Sequence, residues 1–169
     1  MHAYIGLEAE PGTRSILLQA LRERGIEAYP TLGGHDIVCR SPPFADLAEF
    51  RALVDSILFI TVETRAIVAN STTYIILDHM RKQTDGKTAA FCFIRSGKLP
   101  SRESFDKMVQ SLLELDSVLS VSVTIGFFDL VCEIQSNNIA DLRRTVDQVL
   151  STEGVSSRAI MVCMVSEDG

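Results

Sequence analysis

Apolar residues recur along this chain in two rhythms, a spacing of three and four that marks one face of a helix and a spacing of two that marks a half-buried strand. Ala3 to Glu8 opens as a strand, and Pro11-Gly12-Thr13 turns the chain into a helix whose Ile16, Leu17, Ala20 and Leu21 share a face. Gly25, after Arg22-Glu23-Arg24, stops that helix. Ala28 to Leu32 then reads as a strand that Pro30 confines to a sheet edge. Gly33-Gly34-His35 supplies a reversal and Asp36 to Arg40 the returning partner. Beyond Pro42-Pro43 a second helix carries Leu47, Phe50, Val54 and Ile57 inward and Asp46, Glu49, Arg51 and Asp55 outward, and Val62 to Val68 is expected to close the set as a strand.

The same order returns further on. Ala89 to Arg95 predicts a strand, Ser101 an N-cap with Glu103 favourable at the helix start, and Phe105, Met108, Val109, Leu112 and Leu113 a helix face. Leu119, Val121, Val123 and Ile125 alternate with Ser120, Ser122 and Thr124, as in a half-buried antiparallel strand with one face wet or polar. Gly126-Phe127-Phe128 turns the chain into Asp129 to Ile134. Asn137 or Asn138 introduces a helix with Leu142, Val146, Val149 and Leu150, and Val155 to Val165 ends the series. Between the two sets, Asn70-Ser71-Thr72-Thr73 and Gln83-Thr84-Asp85-Gly86 have linker character, while Tyr74 to Leu77 reads as an added strand or a short helix.

The register of the two sets is constant. Thr31-Leu32-Gly33-Gly34-His35-Asp36-Ile37-Val38-Cys39 is echoed by Thr124-Ile125-Gly126-Phe127-Phe128-Asp129-Leu130-Val131-Cys132, an offset of 93 residues (126 − 33), and Arg65-Ala66-Ile67 is echoed by Arg158-Ala159-Ile160 at the same offset. We therefore expect a duplicated module: a first unit over residues 1–72, a connector over 73–87 and a second unit over 88–169. Strand-helix-strand-strand-helix-strand in each unit is the split βαβ arrangement. The expected fold is α+β, two ferredoxin-like βαββαβ units, each an α/β sandwich with an antiparallel sheet, packed sheet to sheet as a pseudo-dimer within one chain. Units this small bury little surface alone, so a homo-oligomer is also expected.

Composition narrows the partners. A net charge of −6 and a pI near 5.0 argue against direct nucleic-acid binding, which needs Lys and Arg to displace counterions from phosphates. The densest basic group, Arg81-Lys82 with Lys87, reads as a solvated loop. At 46% hydrophobic residues and a mean hydropathy of +0.18 the chain suits a packed globule, with no run long enough to span a bilayer and no signal peptide at its start, so a cytoplasmic location is expected. Cys39, Cys92, Cys132 and Cys163 stand singly in apolar segments, without the paired spacing of a zinc or redox site, and read as small buried hydrophobes. No metal or cofactor is expected.

The element order, together with the turns Gly33-x-x-Asp36 and Gly126-x-x-Asp129 followed by apolar residues, resembles the effector-binding domain of the leucine-responsive and asparagine-responsive (Lrp/AsnC) transcription regulators, twice over nearly the whole chain. That resemblance implies the RAM module, a ferredoxin-like sandwich that dimerises through its sheets, assembles into rings and binds amino acids near this turn. The chain departs from such regulators in opening at the first strand, so the helix-turn-helix is expected to be absent and any DNA effect to come through a DNA-binding partner. Phe127-Phe128 also replaces Gly34-His35 in the second turn, so the two turns need not bind the same ligand.

The turns have chemistry of their own for a zwitterion. Asp36 or Asp129 suits an ammonium, and backbone N–H groups exposed by Gly33, Gly34 and Gly126 suit a carboxylate. Thr31 and Thr124, with His35, Phe127 and Phe128, complete the candidate ligand-binding set. The competing account is structural: such aspartates bond nearby backbone, glycines serve the turn, and the threonines serve β propensity. An enzyme of the dimeric α+β barrel type, such as a small monooxygenase, shares the fold class. Yet the histidines, His2, His35 and His79, form no recognised catalytic motif, and His35 beside Asp36 reads as an exposed turn histidine rather than a dyad. The expectation is a non-enzymatic, amino-acid-binding regulatory module.

Overall fold

The computed structural model describes residues 1–64, 66–97 and 101–166, with backbone only for 61, 62 and 157–159. Arg65 of the second echo, and the side chains of Arg158 and Ala159 in its counterpart, lie outside the described set. Eight strands and four helices follow in the order β1 (His2–Ala9), α1 (Arg14–Glu23), β2 (Glu27–Gly33), β3 (Ile37–Arg40), α2 (Leu47–Thr64), β4 (Val68–Arg81), β5 (Ala90–Ser96), α3 (Arg102–Glu114), β6 (Val118–Ile125), β7 (Leu130–Ile134), α4 (Ile139–Ser151) and β8 (Val155–Val165) among the described residues.

Local signals explain most of these boundaries. Ser101 caps α3 by accepting from the Ser104 N–H, and Asn138 caps α4 by accepting from the Asp141 N–H. Two expectations fail around the end of α2. The run Ile60-Thr61-Val62 has β-branched strand character, yet Val62 lies inside the helix, because Ile57 and Ile60, one turn apart, are both buried in the core. The segment Asn70–Thr73, read as linker, is instead part of one 14-residue strand, β4, which also takes in Tyr74–Leu77, read as an added strand or a short helix. Its serine and threonines pair in register with β1, Ser71 with Leu7, Thr72 with Gly6 and Thr73 with Ile5.

The expected pair of separate ferredoxin-like sandwiches is overturned at the level of the sheet. The hydrogen-bonded strand order β1-β3-β2-β8-β5-β7-β6-β4 closes on itself as one eight-stranded barrel. The physical reason is edge satisfaction: a free sheet edge exposes unpaired backbone groups, and closure alone removes every edge. Length makes this possible, since β4 runs on beyond its pairing with β1 until Lys82 N–H donates to Leu119 O. Pro30, which predicted an edge strand, lacks an N–H to donate, but its carbonyl accepts from Ser166 N–H at 2.9 Å.

Backbone contacts divide the chain into two compact units, Met1–Ile76 with Ser166, and Leu77–Val165. In the first, Ile5, Leu7, Leu17, Leu21, Ile37 and Ile60 form the centre of one core beneath α1 and α2. In the second, Cys92, Ile94, Met108, Leu112, Val121 and Val149 do the same beneath α3 and α4. Among the described residues no helix is long and apolar enough to cross a membrane.

All four cysteines are buried, and none forms a disulfide. Burial pushes the Cys39 thiol up to about 12, and burial followed by the neighbouring Cys163 does the same for Cys92. Cys132 is also raised, by burial first and then by Cys92 and Glu133. Thiolate is the reactive form, so these thiols should resist a disulfide reagent at pH 8 in the native chain and react when it is unfolded in urea. Because the folded values lie above the ordinary 9.0, the stability contributed is complete below about pH 9 and is lost as pH rises towards 12. Urea midpoints measured from pH 8 to 11 should fall accordingly.

Candidate functional site

The two hairpin turns are built alike. In the first unit Thr31 N–H donates to Asp36 O at 2.8 Å, the Thr31 hydroxyl donates to His35 O at 2.7 Å, and Asp36 N–H donates to Leu7 O at 2.9 Å. In the second, Thr124 N–H donates to Asp129 O at 2.8 Å, the Thr124 hydroxyl to Phe128 O at 3.0 Å, and Asp129 N–H to Ile94 O at 3.0 Å. Each aspartate carboxylate also receives the end of the first strand. Asp36 Oδ2 accepts from Ala9 N–H at 2.8 Å, and Asp129 Oδ2 accepts from both the N–H and the hydroxyl of Ser96, each at 2.8 Å. The threonines and aspartates thus shape the corner, each bond to a charged acceptor contributing about 1.5–3 kcal/mol.

What the turns present outward differs from what the sequence suggests. Of their glycines only Gly33 takes a positive φ, 132°, while Gly34 and Gly126 do not. Gly33, Gly34, Gly126 and Phe127 are exposed, and the Arg95 guanidinium lies over the Phe127 ring at 5.3 Å. Phe128 turns inward against Phe93, ring centroids 6.0 Å apart. His35, read from the sequence as an exposed turn residue, is buried, its Nε2 3.3 Å from the Tyr74 hydroxyl. Gly6 makes room for it, since a Cβ at Gly6 would lie 2.3 Å from the ring. The two units solve one packing problem in opposite ways, Gly6 with His35 in the first and Phe93 with Phe128 in the second.

Sequence reasoning missed a second polar group, on the sheet face of the second unit turned away from its helices. Glu133 is fully buried, and its Oε2 accepts from Arg81 Nη1 and from the Thr88 hydroxyl, each at 3.0 Å. Arg81 and Lys82, taken for a solvated loop, are committed: Arg81 to Glu133 and Lys82 Nζ to Leu115 O at 2.6 Å. Ser120 lies directly across the strands from Glu133, and the Ser122 hydroxyl is 2.8 Å from His79 Nδ1. Ser120 and Ser122, on the strand face expected to be wet or polar, are fully buried, and the Ser120 hydroxyl has no hydrogen-bond partner among the described residues. The available signals were Glu133 inside the apolar run Leu130-Val131-Cys132-Glu133-Ile134 and the serines alternating along β6. Among the described residues no three His, Cys, Asp or Glu side chains gather as a metal ion would need.

Burial holds His35 below its ordinary value of 6.5, against the opposing pull of Glu8 and Asp36. A lowered folded value means the stability is present above about pH 6.5 and is lost as pH falls below it. His35→Gln should therefore flatten the decline of the urea midpoint between pH 7 and pH 5. Gly6→Ala should cost about 1–3 kcal/mol through overpacking. Combining it with His35→Ala should recover part of that loss, a coupling that a double-mutant cycle reads directly.

Comparison with known proteins adds a family and a fold. Residues 89–167 match the family model of the Lrp/AsnC ligand binding domain. A search of curated proteins gives no match. Among solved structures, a siroheme decarboxylase in co-complex with an iron-uroporphyrin III analogue is similar at a TM-score of 0.66 and 7% identity, covering 98% of this chain and 71% of that one. A mutant chlorite dismutase from Candidatus Nitrospira defluvii in complex with cyanide gives a TM-score of 0.62 at 10% identity, over 98% of this chain and 90% of the other. A putative monooxygenase from Fusobacterium nucleatum gives 0.56 at 11%, again over 98% and 90%. At such identities these likenesses concern the fold alone.

Proposed function

We propose, from the similarity of residues 89–167 to the Lrp/AsnC ligand binding domain, that the chain is a regulatory module that binds a small, amino-acid-like effector. The observation that carries this reading is the family match over residues 89–167, which contains the whole turn from Thr124 to Asp129. In this proposal the effector meets the turn tips, Gly33 and Gly34 in one unit, Gly126 and Phe127 in the other. Thr31, Asp36, Thr124 and Asp129 keep the corners in shape and supply the negative charge, with His35 and Phe128 packed behind them. We further propose that the two units are copies of one module, that the chain assembles with copies of itself, and that any effect on DNA passes through a DNA-binding partner. An effector acts in such a system by preferring one assembly over another.

A barrel enzyme such as a small monooxygenase is the other reading that the sequence allows. The likeness to solved enzymes supports it only at the level of fold, whereas the effector-binding reading rests on a sequence match. Calorimetric titration with a panel of amino acids tests the proposal. The informative variants are Asp36→Asn and Asp129→Asn, which keep an oxygen to accept the main-chain bond but drop the charge an ammonium needs. We expect saturable binding to the unaltered chain and at least tenfold weaker binding to the double variant, about 1.4 kcal/mol. Equal affinities, or no binding by the unaltered chain, would overturn it.

A further inference from the structure

The two units carry one cross-strand row at matching positions, and they fill it differently. In the first unit Arg40 lies in register between Tyr4 on β1 and Glu27 on β2; Arg40 Nη1 pairs with Glu27 Oε2 at 3.0 Å and its guanidinium sits 5.9 Å from the Tyr4 ring centre. The row is closed by its own charges. In the second unit Glu133 lies in register between Phe91 on β5 and Ser120 on β6. The long Glu27 is thus matched by the short Ser120 at the same offset of 93 residues (120 − 27), and the charge that answers Glu133 comes from Arg81 instead.

Two features make this row a site rather than a closed pair. The Ser120 hydroxyl, fully buried, lacks a partner among the described residues, a rarity in folded proteins that calls for an explanation. Solvent also reaches the row at Arg81. Arg81 is about one-third exposed, at 38%, while Glu133, to which it is bonded, is fully buried, and His79, bonded to the buried Ser122, is exposed.

A guanidinium–carboxylate pair with its carboxylate buried is a dipole, and the ligand that matches it best is another dipole of opposite sense. A lone anion would be repelled by Glu133, and a lone cation by Arg81. We propose that this row is a second binding site, apart from the turns, for a zwitterionic α-amino acid. The ligand carboxylate takes the Arg81 guanidinium, and its ammonium takes the Glu133 carboxylate and the Ser120 hydroxyl. This rests on the effector-binding reading for its ligand class, but not on the turns.

Calorimetry on the full chain carrying Asp36→Asn and Asp129→Asn isolates the site, with L-alanine as probe and propionate and ethylamine as its separate charged ends. We expect alanine still to bind, and to bind at least tenfold more tightly than either fragment. Adding Ser120→Ala should weaken alanine at least tenfold while leaving the unliganded melting temperature unchanged or higher, because that substitution deletes an unpartnered group. Arg81→Lys, which keeps the charge but loses the planar fork, should weaken it similarly. If the unaltered chain binds no amino acid, this site and the effector reading fall together. If the two Asn substitutions abolish all binding, the turn reading stands and this site falls. Unchanged affinity in the Ser120→Ala and Arg81→Lys chains, or a fragment binding as tightly as alanine, also overturns it.

Discussion

The bond from the end of the first strand to the hairpin aspartate is the constraint on which both units are built. Ala9 N–H to Asp36 and Ser96 N–H to Asp129 tie the corner of one hairpin to the strand beside it, and the Thr31 and Thr124 hydroxyls close each corner from within. A turn held at three points does not slide, and strand register is unforgiving: a slip of one residue would move every core side chain to the wrong face. With the corners pinned, Ile37 and Cys39 in one unit and Leu130, Cys132 and Ile134 in the other all reach their helices. The turn signature is therefore a folding device first, and any ligand must use what the device leaves exposed.

The opposite sheet faces are where the units diverge. In the first, Gly6 gives up its side chain so that His35 can lie flat and meet Tyr74. In the second, Phe93 and Phe128 fill the matching space with two rings, while a buried carboxylate and two buried serines stand a few residues away. Burying a charge is costly unless it is paired and hydrogen-bonded, and Glu133 meets that condition through Arg81 and Thr88. Apolar residues of similar size would serve a purely structural role at least as well. The first unit carries Arg40 and Glu27 at the matching positions, both partly exposed, so the buried carboxylate is particular to the second.

Much of this was readable from residue order. The periodicities located both helix-strand-strand runs, Ser101 and Asn138 marked their helix starts, and the repeated Thr, Gly and Asp positions identified corners that are built from the same bonds. Local chemistry suffices there, because a cap or a turn is made by residues within a few positions of one another. The extent of α2 and the strand character of Asn70 to Thr73 were not readable, since each is decided by a distant partner: the core beneath Ile57 and Ile60, and the β1 backbone alongside β4.

The sequence alone, then, determined the order of elements, the corners and the match of residues 89–167 to the Lrp/AsnC ligand binding domain model, because these follow from local bonding and from residue identity at set spacings. Tertiary structure alone decided that the sheets close into a barrel, that His35 is buried and that Arg81, Glu133 and Ser120 share one row. The reason is physical: edge pairing and cross-strand register join residues some 13 to 52 positions apart, such as Ser120 with Glu133 and Arg81 with Glu133, and no local spacing encodes which strand will lie beside which.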